Sequence, residues 1–164
     1  MDFYLVALFC IAITLHNIEE AIWLPEWSQQ ASMFHKPVTP GEFRFAVTVI
    51  TILAYLSAFY FFYKPESELA KWVFIGFLGS MIVNAIFPHL IATILMKQYA
   101  PGLLTGLFLN LPINTFIIVR MFQNHYITWK ELIISTIAVG SLLLTLIPLL
   151  FKAGGKMAFS REPK

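Results

Sequence analysis

The chain has 164 residues, of which 59% are hydrophobic and 12% are charged, and its mean hydropathy is +0.75. Soluble domains carry about 25% charged residues, so this composition excludes an ordinary soluble protein and predicts an integral membrane protein. A formal charge of +2 is too small to indicate nucleic acid binding, and a single cysteine, Cys10, excludes an intrachain disulfide or a thiolate metal cluster.

Five apolar segments reach the roughly 20 residues that a membrane-spanning helix needs. They predict an all-α, polytopic membrane helix bundle, with residues 1–151 as one transmembrane domain and residues 152–164 as a disordered, basic C-terminal tail. The first segment lacks the basic region of a signal peptide and is expected to be a retained helix. The five helices are predicted near residues 3–24, 42–63, 70–96, 100–121 and 130–151.

The first predicted helix contains an unusually polar turn, His16-Asn17-Ile18-Glu19-Glu20. A helix rotates by about 100° per residue, so His16, Glu19 and Glu20 share one face within an arc of about 100°. Each ionisable group at membrane depth costs at least about 2.5–3.5 kcal/mol. This turn therefore predicts a functional centre whose side chains face protein, water, a cation or one another.

The loop after the first helix, residues 25–41, is expected to lie at the membrane interface as a lid that includes Trp27. Glu42 follows it as either an extra metal ligand or a carboxylate favoured by the dipole at the start of the second helix. His35 in this loop and His125 in a later loop are interpreted as surface residues.

The third predicted helix places Asn84 at a depth similar to that of His16, and places His89 one to two turns nearer the surface formed by loop 25–41. Pro88 cannot donate a hydrogen bond to the carbonyl of Asn84, which predicts a kink. Asn84 and His89 lie about 140° apart in an ideal helix. The kink is expected to bring both side chains towards one cavity.

The fourth predicted helix brings Thr105 into the same leaflet, and Pro112 frees the carbonyl of Phe108. Small residues recur every four positions on this helix and on the third, which predicts that the two helices pack through these stripes. Asn110 and Asn114 are interpreted as interhelical hydrogen-bonding residues rather than ligands. The stripes are Gly76, Ser80 and Asn84 on the third helix, and Gly102, Gly106, Asn110 and Asn114 on the fourth.

These motifs resemble those of the HXXEE-motif family of integral membrane proteins, which has no assigned activity. The segment 16–20 matches the signature, whereas Asn84…His89 and Tyr99-Ala-Pro-Gly102…Thr105 resemble the second and third motifs. The resemblance extends from the first helix through the fourth. It implies no particular reaction, but it does imply that five residues act together: His16, Glu19, Glu20, Asn84 and His89.

The histidines and carboxylates predict a divalent metal site, with His16, Glu19, Glu20 and His89 as ligands and an open position for water. Zinc and iron cannot be separated by sequence. Glu19, Glu20 and Asn84 are the predicted catalytic residues, since two nearby carboxylates can also share a proton. The structural alternative is a buried ion pair or hydrogen-bond cluster that fixes helix packing.

The leading functional hypothesis is a metal-dependent membrane enzyme, a hydrolase or an oxidoreductase, that acts on a lipid-like or apolar molecule. The alternatives are a carrier of a proton, a cation or a small solute, and a non-catalytic accessory protein. A water-filled path to both membrane faces would favour the carrier, and a cavity closed on one side would favour the enzyme. The positive-inside rule predicts a cytoplasmic C-terminus in the cell membrane, and the oligomeric state stays open.

Overall fold

The computed structural model describes residues 2–31, 33–34 and 36–159, with side chains through Met157. Within these residues the regular secondary structure is helical, joined by turns and short connections, and no strand occurs. Five helices are long and apolar enough to cross a membrane, which confirms the predicted fold class. We number them α1 Phe3–Ser28, α2 Pro40–Tyr63, α3 Glu68–Met96, α4 Leu103–Gln123 and α5 Trp129–Phe159.

The first helix continues through Pro25, where the sequence predicted a loop. Its last residue, Ser28, donates a hydrogen bond to the Pro25 carbonyl (2.8 Å) and accepts one from the backbone N–H of Val38 (3.1 Å). These bonds hold the extra turn against the segment that leads into α2. Trp27 therefore lies on α1 and not in a loop. His35, which was predicted to lie in that loop, is outside the described residues.

The fifth helix also exceeds its predicted bounds, because it continues to Phe159 instead of ending near residue 151. Gly154 is buried, and a Cβ there would lie 3.1 Å from the Cα of Glu42 in the first turn of α2. This close packing stabilises turns that composition alone suggested were a disordered tail. Residues 160–164 of the predicted tail lie outside the described part of the chain.

Local capping explains where several helices begin. Glu42 accepts a hydrogen bond from the Thr39 backbone N–H (2.8 Å) while its own N–H donates to the Thr39 hydroxyl (3.3 Å), and this is a capping box. Thr128 and Glu131 repeat the arrangement at α5. Glu42 thus serves the start of α2 and does not belong to the polar centre described below.

The small-residue stripe of α3 packs against α5, so its predicted pairing with α4 is wrong. A Cβ on Gly76 would lie 2.7 Å from the carbonyl oxygen of Ser135, and Ser80 donates to the Thr136 carbonyl (3.4 Å). The α4 stripe does meet α3 at Gly106, where a Cβ would lie 3.2 Å from the Cβ of Ala85. The partner of each stripe depends on the arrangement of the bundle, which spacing along one helix does not encode.

Aromatic side chains fill the half of the bundle that surrounds the N-terminal half of α1. Phe61 and Phe74 stack with ring centroids 5.5 Å apart, and Phe9 meets Phe74 edge to face at 5.3 Å. All three rings are buried. The polar residues of α1 begin above this packed region, which closes the centre on that side.

Candidate metal centre

The kink in α3 brings Asn84 and His89 together. Residues Ala85–Leu90 form a π-helical segment in which Phe87 leaves helical geometry (φ −126°, ψ 121°), immediately before Pro88. The Asn84 Nδ2 atom consequently lies 3.1 Å from Nε2 of His89 and 3.1 Å from Nε2 of His16 on α1. The predicted convergence of these three side chains is confirmed.

His16, Glu20 and His89 form a compact group of potential ligands. Glu20 Oε1 lies 3.0 Å from His89 Nε2 and 3.7 Å from His16 Nε2, and one ligand atom from each residue lies within 4.8 Å of the other two. Both imidazoles are buried, with exposed fractions of 1% and 3%, and the Glu20 side chain is 12% exposed. The group thus joins α1 to the kinked segment of α3.

A hydrogen-bond chain determines which nitrogen of His16 carries its proton. The Thr105 hydroxyl donates to Glu19 Oε2 at 2.6 Å, so its proton is not available to His16. His16 Nδ1 lies 3.1 Å from the same hydroxyl and must therefore donate to it. In the neutral ring this leaves the lone pair on Nε2, which accepts a hydrogen bond from Asn84 Nδ2 (3.1 Å) and lies 3.7 Å from Glu20 Oε1.

Glu19 lies next to this group but faces α4. Its carboxylate accepts hydrogen bonds from the backbone N–H groups of Gly102 (2.7 Å) and Thr105 (3.0 Å), from the Thr105 hydroxyl and from the Tyr99 hydroxyl. The first N–H groups of a helix have no partner within the helix, and a carboxylate stabilises them. The structure thus places Glu19 at the N-terminus of α4 and outside the three-residue group.

Tyr99 is a site residue that the sequence analysis named only as part of a family motif, without a role of its own. Burial and the hydrogen bond to Glu19 raise the pKa of Tyr99 to about 12. The phenol therefore keeps its proton at neutral pH and donates it to the carboxylate. The sequence signal was the turn 99–102, since a turn that opens a helix presents free N–H groups to a buried acid.

Gly102 allows the two imidazoles to approach the turn before α4. Its φ is +93°, which favours glycine, and a Cβ there would lie 2.7 Å from Cε1 of His89 and 3.0 Å from Cε1 of His16. Glycine is thus required both by the backbone and by the packing. The sequence had placed this residue in a family motif and in a helix-packing stripe, but not against the two imidazoles.

Asn110 and Asn114 are fully buried on α4, and none of their side-chain polar atoms has a hydrogen-bond partner among the described residues. The predicted interhelical hydrogen bonds are therefore not formed there. The π-helical segment Gly106–Asn110 precedes Pro112, at the place where proline was predicted to free a carbonyl. The local backbone is irregular, and the two amides lie in its vicinity.

We expect Asn114→Leu to leave the thermal unfolding temperature unchanged or to raise it. An amide buried without a partner costs about 1–3 kcal/mol, and leucine, which has the same branching and the same number of side-chain heavy atoms, removes that cost. Thermal unfolding in detergent, with the exposed Asn124→Leu as a control, measures the difference. A large loss of stability in the Asn114 variant alone would show that the amide has a partner such as bound water.

A groove of about 630 Å³ runs beside the centre between α1 and α4. Glu19, Tyr99 and Thr105 line its middle, and exposed apolar side chains of both helices form most of its wall. A second cavity of about 440 Å³, near Asp2 and Arg120, shares no lining residue with the first. The groove therefore approaches the centre from the side of the bundle.

The fold and the centre define a class: a bundle of five apolar helices with a buried histidine–carboxylate group between α1 and α3. The family model described as "Protein of unknown function with HXXEE motif" matches residues 7–117, and the chain belongs to this family. The motif is the segment 16–20, and the matched region contains Asn84, His89 and Thr105.

A relative in Bacillus subtilis (strain 168), named "Uncharacterized protein YrkK", is 72% identical over 155 residues. The alignment covers 94% of this chain and 98% of the relative. No solved structure matches the chain. These comparisons establish the family and leave the chemistry to be inferred from the site.

Proposed function

We propose that the protein is a small membrane enzyme in which His16, Glu20 and His89 hold a catalytic divalent metal ion. The observation that carries this proposal is the convergence of two imidazole nitrogens and a carboxylate oxygen in a buried space. When both imidazoles are neutral with their lone pairs on Nε2 and the carboxylate is ionised, these three atoms can all ligate one cation, and Asn84 Nδ2 is a donor that lies 3.1 Å from both nitrogens. A resident metal ion satisfies all three.

The distances within the group support such an ion. Ligands about 2.0–2.1 Å from a tetrahedral ion lie roughly 3.3 Å from one another. The two separations from Glu20 Oε1, 3.0 Å to His89 and 3.7 Å to His16, bracket that value. Three protein ligands and one open position form the pattern of catalytic zinc sites, and two histidines with a carboxylate also suit non-haem iron.

The hydrogen bonds around His16 are those expected of a metal ligand. Ligating histidines usually donate their second ring N–H to a carboxylate or another acceptor, which fixes the ring and its tautomer. Here the acceptor is the Thr105 hydroxyl, which in turn donates to Glu19. Glu19, a predicted ligand, is thus better assigned to positioning His16 through Thr105.

Each residue then has a defined task. A bound zinc ion would supply a water of lowered pKa and polarise a substrate oxygen. Asn84, whose amide lies 3.1 Å from both imidazoles, is placed to orient a water or a substrate oxygen. Glu20 is slightly exposed, and its second carboxylate oxygen is the nearest one that could exchange a proton with that water or substrate oxygen.

A lipid-like or apolar substrate suits the position of the groove. The five apolar helices support a location in the cell membrane, where the side opening between α1 and α4 faces the acyl chains. The groove and the second described cavity share no lining residue, so these two cavities do not form one path through the bundle. The excess of lysine and arginine near the C-terminus favours a cytoplasmic C-terminus.

Metal analysis of the purified protein tests the proposal. We expect about one zinc or iron ion per chain, lost in His89→Ala and in Glu20→Gln because a site of three ligands does not tolerate the removal of one. His125→Ala, which removes an exposed histidine, is the matched control and should keep the metal. Absence of metal from every preparation, including protein supplied with zinc or iron, would contradict the proposal.

A further inference from the structure

The groove between α1 and α4 is polar at one end and mostly apolar along the rest of its length, apart from Glu19, Tyr99 and Thr105 at its middle. Glu26, Gln30 and Gln98 line the end near the turn before α4. Towards the middle of the bundle the wall is formed by Leu15, Ile18, Ile22, Leu104 and Leu109. Such a gradient matches an amphiphile that lies along the helices with its head group at the polar end.

The length of the groove agrees with a single hydrocarbon chain. From Leu15 to Glu26 the rise along α1 is roughly 16 Å at 1.5 Å per residue. This is about half of the 30 Å hydrocarbon core, which corresponds to one leaflet of a bilayer. An extended alkyl chain in that leaflet would pass Glu19 and Thr105 on its way to Leu15.

The charges of the lining select the head group. The lining contains two carboxylates, Glu19 and Glu26, and no lysine or arginine. Trp23 and Trp27 also line the groove on either side of Glu26, and indole rings attract alkylammonium groups. Glu19 is already satisfied by four donors, whereas Glu26 is exposed at the groove's end.

We infer that the groove binds a long-chain amphiphile with a cationic head group, an alkylammonium being the simplest. This inference rests on the proposed function, because it names the class of substrate that the groove would bring to the centre. It predicts weaker binding of head groups that carry a net negative charge. The expected preference is modest, since an exposed charge pair contributes about 0.2–1 kcal/mol, which corresponds to a factor of up to about five.

Tryptophan fluorescence in neutral-lipid nanodiscs tests the inference. A variant with Trp72→Phe and Trp129→Phe keeps both groove tryptophans as reporters, Trp23 and Trp27. The probes are a hexadecyltrimethylammonium salt and a hexadecyl sulfate, each brominated in the middle of its chain so that contact quenches fluorescence. A second variant that keeps only Trp129, which is exposed near the opposite membrane face, measures how far each probe enters the bilayer.

We expect the ammonium probe to quench the groove tryptophans at about three- to fivefold lower membrane concentration than the sulfate. Glu26→Gln should remove this preference, whereas Glu66→Gln, an equal change of charge in an exposed loop near the other face, should keep it. Equal quenching by both probes, or a preference that survives in Glu26→Gln, would overturn the inference.

Metal content measured on the same samples separates this inference from the proposed function. Glu26→Gln should retain its metal, since Glu26 lies outside the ligand group. Bound metal without a head-group preference would refute the groove inference alone. A head-group preference in a protein that never binds metal would refute the enzyme and leave the groove as an amphiphile site.

Discussion

Glu19→Ala is expected to lower the free energy of unfolding by about 3–5 kcal/mol. The substitution removes the common acceptor of the N–H groups of Gly102 and Thr105 and of the Thr105 and Tyr99 hydroxyls. Each buried donor left without a partner costs about 1–3 kcal/mol. A carboxylate that meets four donors is therefore the main polar link between α1 and the start of α4.

Thermal unfolding in detergent or in nanodiscs measures this loss. Glu19→Gln should lose less stability than Glu19→Ala, because the amide oxygen can still accept some of these hydrogen bonds. Some loss should remain, because the NH₂ group of glutamine faces donors and cannot accept from them. Glu66→Gln, an exposed carboxylate in a loop, is the control and should unfold at the temperature of the unchanged protein. Equal unfolding temperatures for Glu19→Ala and the control would show that these hydrogen bonds do not hold α4 in place.

Unfolding temperature and metal content, measured on the same variants, separate the roles of the two adjacent glutamates. If Glu20 is a ligand and Glu19 positions the helix, Glu20→Gln should lose metal with little loss of stability in the metal-free protein. Glu19→Gln should lower the stability of the metal-free protein, and its metal loss should follow from the displacement of Thr105 and His16. The reverse pattern would restore Glu19 as the ligand that its position in the motif first suggested.

Gly102→Ala is expected to reduce metal binding by tenfold or more. A non-glycine residue at φ +93° costs about 1–2 kcal/mol in the backbone alone. The added Cβ would also lie 2.7 Å from a ring atom of His89 and 3.0 Å from one of His16, so one or both imidazoles must move. Displacement of a ligand by a few tenths of an ångström is enough to weaken a three-ligand site, since 1.4 kcal/mol is a factor of ten.

Metal titration of the metal-free protein measures the change in affinity. Gly41→Ala is the matched control, because Gly41 is exposed in the first turn of α2, far from the centre along the chain. We expect the control to bind metal as the unchanged protein does. Unchanged affinity in Gly102→Ala would mean that the two imidazoles are not held against this turn.

Much of the architecture follows from the sequence because it depends on local properties. Apolar length indicated five helices and their approximate positions along the chain. Pro88 indicated the kink, since a residue without an N–H cannot donate to the carbonyl four residues before it, which here is that of Asn84. Both α1 and α5 extend beyond their predicted ends. Their last turns depend on contacts with α2 and with the segment that leads into α2, which the local sequence does not show.

The centre itself was predictable only in part. The rotation of 100° per residue places His16 and Glu20 close to one direction, and the cost of burying them predicts that they meet something polar. The same rotation separates Glu19 from Glu20 by about 100°, so the two carboxylates face different neighbours. The sequence does not say which helix lies in each direction.

The sequence by itself determined the all-helical fold, the family and the convergence of His16, Asn84 and His89, because apolar length, helix rotation and proline chemistry can be read from single segments. Only the tertiary structure decided that Glu19 holds the start of α4, that the stripe of Gly76 faces α5, and that Asn110 and Asn114 have no partner among the described residues. These outcomes depend on which helices are neighbours. A polar group that is buried without a partner costs free energy, so it needs a partner. This requirement does not specify which helix supplies the partner.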